Sequence, residues 1–281
     1  KLNQTVEKLS EVSGKLNTVI SGIETALWDI KGKYYNMPVY EFLGGKVRDK
    51  LKVYSWIGGD RPNNVAEEAK QRFDQGFTAV KMNATEELHY IDSYEKVDQV
   101  LERMNSIKEL LGNKIQVGID FHGRVHKPMA KILIKELEPF RPMFIEEPVL
   151  PENWDAIIDT AKNSPIPIAT GERLSTRWEF KRLFNNNSVD IIQPDVALAG
   201  GILETRKIAA AAEMYDIAVA PHAPYGPVAL AATLQLDMCT PNVFIQEQSL
   251  GIHYNKGFDL IDFVKNKEIF MFKDGYLDVP E

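Results

Sequence analysis

Cysteine is almost absent from this 281-residue sequence, which contains only Cys239. A single cysteine excludes an intrachain disulfide and is typical of the reducing cytoplasm, so we expect a cytoplasmic protein. Long apolar runs are missing as well, since no stretch of about 18 residues is hydrophobic enough for a transmembrane helix. No signal peptide is visible in the sequence.

Positive charge is also in deficit. The sequence has 33 lysine and arginine residues against 40 aspartate and glutamate residues, which gives a net charge of −7. Because no basic run or patch is visible, we expect no nucleic acid as a partner. The lack of a long apolar run leads us to expect no membrane. A small-molecule substrate is compatible with this charge, even an anionic one, because a metal ion can reverse the local field.

What the sequence does contain is an alternation of apolar and amphipathic segments that begins near Leu51. The apolar segments are short and continuous, as in parallel strands buried on both faces. The predicted strands are Lys52–Ile57, Ala79–Met82, Gln116–Asp120, Met143–Glu146, Ile166–Gly171, Asp190–Gln193, Ile217–Pro221 and Val243–Gln246. The predicted helices between them are Asn64–Gln75, Ile91–Leu111, Lys127–Glu138, Trp154–Asn163, Arg177–Asn185, Gly201–Tyr215 and Pro227–Met238.

Eight strands alternating with helices over about 200 residues favour an α/β fold of the closed, TIM-type barrel class. A doubly wound parallel sheet is the alternative, but no Gly-x-Gly-x-x-Gly turn follows any predicted strand. Ahead of the barrel, the apolar spacing of Ile20–Tyr35 predicts a helix. Pro38–Gly45 is predicted as a second, short helix that ends at glycines.

Three acidic residues follow three consecutive strands. Asp120, Glu146 and Glu172 follow one another at intervals of 26 residues, so they come at the same point of successive strand–helix units. Carboxylates that converge in one barrel mouth repel each other unless a cation neutralises them. Oxygen ligands without cysteine favour Mg²⁺, with Mn²⁺ as a second option. The alternative is three separately solvated loop acids.

Two histidines and one further acid also lie at predicted strand ends. Asp195 and His222 come after neighbouring strands, where a carboxylate–imidazole hydrogen bond would give a base working near neutral pH. His122 lies two residues after Asp120, where it could transfer a proton close to the cation. The alternatives are a structural histidine in a Pro-His-Ala-Pro loop and an ordinary solvated strand end.

These strand endings resemble one known family, the enolase superfamily in its mandelate racemase-like branch. The resemblance extends from about Ile20 to about Lys267, and within the branch Asp-Phe-His with Ala-Pro-His is most similar to the sugar-acid dehydratases. The segments that carry it are Asp120-Phe-His-Gly-Arg-Val, Phe144-Ile-Glu-Glu-Pro-Val, Gly171-Glu-Arg, Gln193-Pro-Asp, Ala197-Leu-Ala-Gly-Gly-Ile202, Ala220-Pro-His-Ala-Pro-Tyr-Gly-Pro and Gln246-Glu-Gln-Ser-Leu-Gly-Ile-His-Tyr254.

The resemblance implies a fold, an assembly and a division of the chain. The fold is a modified, enolase-like (β/α) barrel preceded by an α+β capping domain. Residues 1–48 are expected to be a partial capping domain that retains its helical portion. The barrel is expected over 49–265, and a segment returning toward the capping domain over 266–281. A homo-oligomer is also implied.

The resemblance also implies a role for each candidate residue. Asp120, Glu146 and Glu172 are then the Mg²⁺ ligands, His222 paired with Asp195 is the general base, His122 is the general acid, and Glu247 hydrogen-bonds the enediolate oxygen. The implied enzyme is a hydro-lyase that converts D-galactonate to 2-dehydro-3-deoxy-D-galactonate and water. The alternatives are a dehydratase for another aldonate or uronate, such as gluconate or mannonate, an acid-sugar epimerase, and a non-catalytic barrel.

One motif departs from the racemases and lactonising enzymes of this branch, which carry Lys-x-Lys after the second strand. Here the second lysine is replaced in Lys81-Met82-Asn83, which argues against lysine-based racemisation and for histidine-based elimination. Candidate contacts to substrate hydroxyls are Lys81, Asn83, Arg124 and Arg173. The alternatives are ordinary polar strand-end residues and, for the arginines, side chains that brace the metal carboxylates.

Overall fold

A parallel β-sheet forms the centre of the computed structural model, which describes residues 14–59, 62–249 and 260–278. Each of its strands pairs in parallel with the next along the order β7-β6-β5-β4-β3-β2-β1-β8. Val219 and Val243 form a parallel bridge that joins the two ends of this path. The strands are β1 (Lys50–Trp56), β2 (Ala79–Asn83), β3 (Gln116–Asp120), β4 (Phe144–Glu146), β5 (Ile168–Thr170), β6 (Ile191–Ile192), β7 (Ala218–Val219) and β8 (Gln246–Gln248).

Helices alternate with these strands, which confirms the predicted barrel class. Two of the predicted helices, Trp154–Asn163 and Pro227–Met238, have the observed bounds, and the others differ by a few residues at their ends. The helices are α1 (Gly14–Tyr35), α2 (Val65–Asp74), α3 (Tyr94–Leu111), α4 (Lys127–Leu137), α5 (Trp154–Asn163), α6 (Thr176–Asn186), α7 (Ile202–Glu213) and α8 (Pro227–Met238). None of the helices within the described ranges is both long and apolar enough to cross a membrane.

An apolar layer fills the barrel interior below the carboxyl ends of the strands. Its largest side chains are Tyr54 and Phe144, whose ring centroids lie 6.2 Å apart. The Phe144 ring occupies the space in front of Gly118, where a Cβ atom would approach it to 2.8 Å. The layer consists of Tyr54, Ala79, Phe144, Ala169, Ile191, Ala220 and Ile245. The barrel is therefore a packed core, and the polar side chains above it rest on an apolar floor.

The eighth strand differs from its prediction. The apolar run suggested Val243–Gln246, whereas the residues that pair with β1 are Gln246–Gln248. All three side chains are buried although they are polar. The prediction was wrong in position because it followed hydrophobicity, while the paired residues of this strand are polar and one of them, Glu247, contacts Lys81.

A ninth strand, which the sequence did not predict, lies in the C-terminal segment. Tyr276–Asp278 (β9) pairs antiparallel with the start of β1, and Leu277 lies opposite Leu51 with both side chains buried. In the predicted capping region, α1 is followed by a short 3₁₀ helix, Val39–Leu43. Residues 1–13 and 279–281 of the predicted terminal regions, and 60–61 and 250–259 of the predicted barrel, lie outside the described residues. The domain boundaries stay predictions.

Candidate active site

Three buried carboxylates meet at the carboxyl ends of β3, β4 and β5. Asp120 and Glu146 are the last residues of neighbouring strands and are paired in register. Glu172 follows β5 by two residues. One carboxylate oxygen from each residue lies within 4.8 Å of the other two. The structure thus brings together the three acids that the sequence predicted as metal ligands.

The surroundings of the three acids fit a hard divalent cation. Burial and the charge of Glu146 raise the pKa of Asp120. Burial raises the pKa of Glu146 to about 7, although the ammonium of Lys81 opposes this shift. Among the described residues, Oε1 of Glu146 has no hydrogen-bond partner. These carboxylate oxygens are buried, repel one another and lack part of their hydrogen bonds. A divalent cation that they coordinated would offset all three costs.

His222 lies between two carboxylates. Its Nδ1 is 2.7 Å from Oδ2 of Asp195, and its Nε2 is 3.4 Å from Oε2 of Glu172. Burial lowers the pKa of His222, but the charge of Glu247, the hydrogen bond to Asp195 and the charge of Glu172 outweigh it and raise the pKa to about 10. The Asp195 contact orients the ring, so that Nε2 faces the acids.

His122 lies on the other side of the three acids and is tied to Asp120 twice. Its backbone N–H donates to Oδ1 of Asp120 at 2.6 Å, and its Nδ1 is 3.0 Å from Oδ2. The residue has a left-handed backbone with φ 52°. The hydrogen bond to Asp120 raises the pKa of the imidazole. Since Nδ1 faces Asp120, Nε2 is the ring nitrogen that remains for proton transfer.

Lys81 and Glu247 form a fully buried ion pair next to Glu146. The Lys81 ammonium lies 2.7 Å from Oε2 of Glu146, 3.1 Å from Oε1 of Glu247 and 4.6 Å from the centroid of the Trp56 ring. Glu247 also accepts hydrogen bonds from Trp56 Nε1 and from the backbone N–H of Ala223. Burial alone would raise the pKa of Glu247, but Lys81 and His222 lower it to about 2. The structure therefore places the Lys81 ammonium in contact with two carboxylates.

The remaining predicted substrate contacts occupy different positions. Arg173 reaches Oε2 of Glu147 at 3.0 Å and Oε1 of Glu172 at 3.4 Å, which is the bracing arrangement that the sequence left as an alternative. Asn83 is buried at the end of β2, in register with Asp120. Arg124 lies in the loop after β3 with a partly buried side chain.

Three side chains at the site were not singled out in the sequence. Glu147 is buried, and burial together with the charge of Glu172 raises its pKa to about 9. The ring of Tyr225 packs edge-on against His222, with centroids 5.5 Å apart and planes at 82°. Trp56 ends β1 and contacts Glu247. Each lies beside a strand end or inside one of the motifs quoted above, and that position was the sequence signal that could have identified it as a site residue.

Comparisons with known proteins agree with this geometry. The family profile described as "Enolase C-terminal domain-like" matches residues 64–281, and "Mandelate racemase / muconate lactonizing enzyme, N-terminal domain" matches residues 1–44. The D-galactonate dehydratase of Pectobacterium atrosepticum is 54% identical over 261 residues, which are 93% of this chain and 68% of the relative. The D-galactonate dehydratase of Ralstonia pickettii is 52% identical over 265 residues, which are 94% and 69%.

A solved structure has the same fold. The mandelate racemase/muconate lactonizing enzyme-like protein from Rubrobacter xylanophilus superposes with a TM-score of 0.89 at 29% sequence identity, and the match covers 100% of this chain and 78% of the other. The family profile matches well over half of the sequence, and the barrel carries its acids at successive strand ends. The chain therefore belongs to the enolase superfamily, in its mandelate racemase and muconate lactonizing enzyme branch.

Proposed function

We propose that this chain is a sugar-acid dehydratase, a hydro-lyase, and that its substrate is D-galactonate. The observation that carries the reaction type is the pair of imidazoles on two sides of the carboxylate cluster. His222 lies against Glu172 at 3.4 Å, and His122 lies against Asp120 at 3.0 Å. Elimination of water needs one group to take a proton and another to give one, and this arrangement provides both. The substrate rests on the two D-galactonate dehydratases that the chain resembles.

The proposed cofactor is Mg²⁺, with Mn²⁺ as the alternative. Asp120, Glu146 and Glu172 would hold it through carboxylate oxygens. When bound, the cation would supply charge stabilisation to the carboxylate of the substrate. Its charge would also lower the pKa of His222, which Glu172 now raises.

In the first proposed step, His222 removes the proton from the carbon next to the substrate carboxylate. The accepting atom is Nε2, because Nδ1 is engaged with Asp195. Asp195 keeps the ring in the tautomer with a free Nε2 and stabilises the imidazolium that forms. Negative charge develops on the substrate carboxylate at the same time, which is the charge that the site must offset.

In the second proposed step, His122 donates a proton from Nε2 to the hydroxyl group on the adjacent carbon. The carbon–oxygen bond breaks, water leaves, and a carbon–carbon double bond forms between the two carbons. The enol produced then converts to a 2-keto-3-deoxy acid. One proton is taken by His222 and one is given by His122, so the reaction is redox-neutral.

The role predicted for Glu247, a hydrogen bond to the enediolate oxygen, requires a protonated carboxyl group. Lys81, the Trp56 indole and the Ala223 N–H all favour the carboxylate form instead. A carboxylate accepts hydrogen bonds and does not donate them. The role of Glu247 therefore stays a prediction, as do the homo-oligomer and the cytoplasmic location.

A screen of sugar acids tests the proposal. The full chain is incubated with Mg²⁺ and a panel of aldonates and uronates that includes D-galactonate, gluconate and mannonate. Products are detected as semicarbazones of 2-keto-3-deoxy acids, and proton NMR reports any inversion without loss of water. Strong turnover of D-galactonate is the expected result. Dehydration of another acid instead of D-galactonate would identify that acid as the substrate. Inversion of a carbon centre without loss of water would indicate an epimerase. No reaction with any acid, although Mg²⁺ is bound, would refute the proposal.

A further inference from the structure

A buried glutamate of α1 caps α7, the helix that follows β6 and the loop of Asp195. Oε2 of Glu24 accepts the backbone N–H of Ile202 at 2.8 Å, and Oε1 accepts that of Leu203 at 3.1 Å. Oε1 also accepts the indole N–H of Trp28 at 2.6 Å. Ile202 and Leu203 begin α7, where unpaired N–H groups and the helix dipole favour a negative charge. The capping group thus comes from helix α1 and not from the loop itself.

Two neighbouring contacts make this junction specific. The hydroxyl of Ser21 accepts the backbone N–H of Gly200 at 3.0 Å and donates to the carbonyl of Asn17 at 2.6 Å. Gly201 has φ 92°, and a Cβ atom there would lie 2.2 Å from Oε2 of Glu24. Only glycine leaves room for the carboxylate at this distance, so the loop packs closely and specifically against helix α1.

The other end of the same loop carries Asp195. Its Oδ1 accepts the N–H of Ala197 at 2.7 Å, and its carbonyl accepts the N–H of Ala199 at 2.7 Å. The N–H of Gly201 then donates to the carbonyl of Val196 at 3.2 Å. Hydrogen bonds at both ends of this loop, joined by its short backbone, therefore connect the Glu24 carboxylate to the residue that orients His222.

We propose that Glu24 and Ser21 are positioning residues for the His222–Asp195 pair. They fix the far end of the loop over residues 195–201 and so hold the Asp195 carboxylate at its distance from the imidazole. The catalytic part of this inference rests on the proposed function, because it assigns His222 as the base. A small displacement of a catalytic pair lowers the rate strongly, and about 1 Å is enough for a hundredfold loss.

Three variants and one control test the inference in the full chain. Glu24→Ala removes all three acceptor contacts, Glu24→Gln keeps the length and one acceptor oxygen, and Ser21→Ala removes the contact with Gly200. Asp29→Asn is the matched control, because Asp29 lies on the same helix in an exposed ion pair with Lys33.

We expect kcat to fall about tenfold or more in Glu24→Ala while KM stays within about threefold. Glu24→Gln should recover part of that loss, and Ser21→Ala should show a smaller one. Each kcat is referred to the folded fraction measured by circular dichroism, so that a loss of folded protein does not count as a loss of positioning. Wild-type kcat in Glu24→Ala would overturn the inference.

Amide hydrogen exchange of the metal-free chain gives an answer that does not depend on activity. Faster exchange at residues 196–203 is expected in Glu24→Gln and Ser21→Ala and not in Asp29→Asn. Unchanged exchange at these amides would overturn the inference, even in an active enzyme. If the wild-type chain dehydrates no sugar acid, the proposed function fails, and this measurement still decides whether α1 fixes the loop. If Glu24→Ala does not fold, the other two variants decide.

Discussion

The imidazole of His222 is held by Asp195 across the ends of two neighbouring strands. The Nδ1–Oδ2 distance is 2.7 Å, and the two residues form a parallel bridge beyond β6 and β7. Replacement of the carboxylate by an amide keeps the shape but removes the charge that fixes the tautomer. We therefore expect Asp195→Asn to lower kcat by about a hundredfold or more, with little change in fold.

Steady-state kinetics with the substrate found in the screen measures this effect. Asp216→Asn is the control, because Asp216 is exposed before β7 and already has a left-handed backbone, with φ 58°, that asparagine tolerates. Wild-type activity in Asp195→Asn would remove Asp195 from the proposed base.

The two histidines should separate into two partial reactions. His222→Asn should abolish exchange of the α-hydrogen with solvent, since no base remains at that position. His122→Asn should block loss of water and still permit exchange, because the base is intact. Proton NMR in D₂O measures exchange, and His89→Asn, an exposed substitution, is the control. Retained exchange in His222→Asn, or full dehydration by His122→Asn, would contradict the assigned roles.

Cation binding should stabilise the chain more at pH 8 than at pH 5. The folded state raises the pKa of Glu146 from 4.5 to about 7 and that of Glu147 to about 9. The folded state therefore binds these protons more tightly than the unfolded state, and unfolding free energy falls as pH rises from about 4.5 through these values. At the higher pH the ionised carboxylates repel one another, and a bound divalent cation offsets this repulsion. At the lower pH protons compete with the cation for the same carboxylate oxygens.

Differential scanning calorimetry with Mg²⁺ and with a chelator measures the two midpoints. The difference in Tm should be larger at the higher pH, and Glu146→Gln should remove most of it. An equal difference at both pH values would mean that the cation binds elsewhere.

Much of this site was predictable because its residue types follow the ends of buried strands. Parallel strands covered on both faces are continuous apolar runs, and an acid at each end stands out against them, as at Asp120 and Glu146. β8 does not follow this pattern, because the residues that pair with β1 are polar and Glu247 lies within the strand instead of after it. The position of β9 depends on contacts between distant parts of the chain, which a local pattern does not contain.

The contacts made by individual side chains were less predictable than the acids. Lys81 stays a candidate contact to substrate hydroxyls, and no local pattern indicated that two carboxylates and an indole ring surround its ammonium group. Aromatic residues such as Tyr225 carry no spacing signal, and their place at the site follows from the path of a loop. The capping of α7 by Glu24 joins positions that are 178 residues apart in the sequence.

Lys81→Met should destabilise the chain strongly. The substitution leaves Glu146 and Glu247 buried without the Lys81 ammonium that both of them contact. Loss of one partner of a buried ion pair costs about 3–5 kcal/mol of folding free energy. Lys70→Met is the control, since Lys70 pairs with Asp74 on the surface, where such pairs contribute about 0–1 kcal/mol. Urea unfolding of both variants in chelator compares them. Equal midpoints would show that Lys81 is not needed to compensate the two acids.

The hydroxyl of Tyr225 should contribute to substrate affinity. Its ring should help to hold His222, the proposed base, in position. Burial and the charges of Asp195 and Glu172 raise the pKa of Tyr225 to about 12, so its hydroxyl is a donor at neutral pH. The side chain is half exposed, at the mouth of the barrel. Tyr225→Phe keeps the ring against His222 and removes the donor, so we expect KM to rise about two- to tenfold with kcat nearly unchanged.

Tyr225→Ala removes the ring as well and should lower kcat, because the imidazole of His222 loses the edge-on contact at 5.5 Å. The two variants thus separate binding from positioning in one set of kinetic measurements. If Tyr225→Phe behaves as wild type across the sugar-acid panel, the hydroxyl contacts no substrate. If Tyr225→Ala also keeps its kcat, the ring does not position His222, and the contacts with Asp195 and Glu172 are sufficient to orient the base.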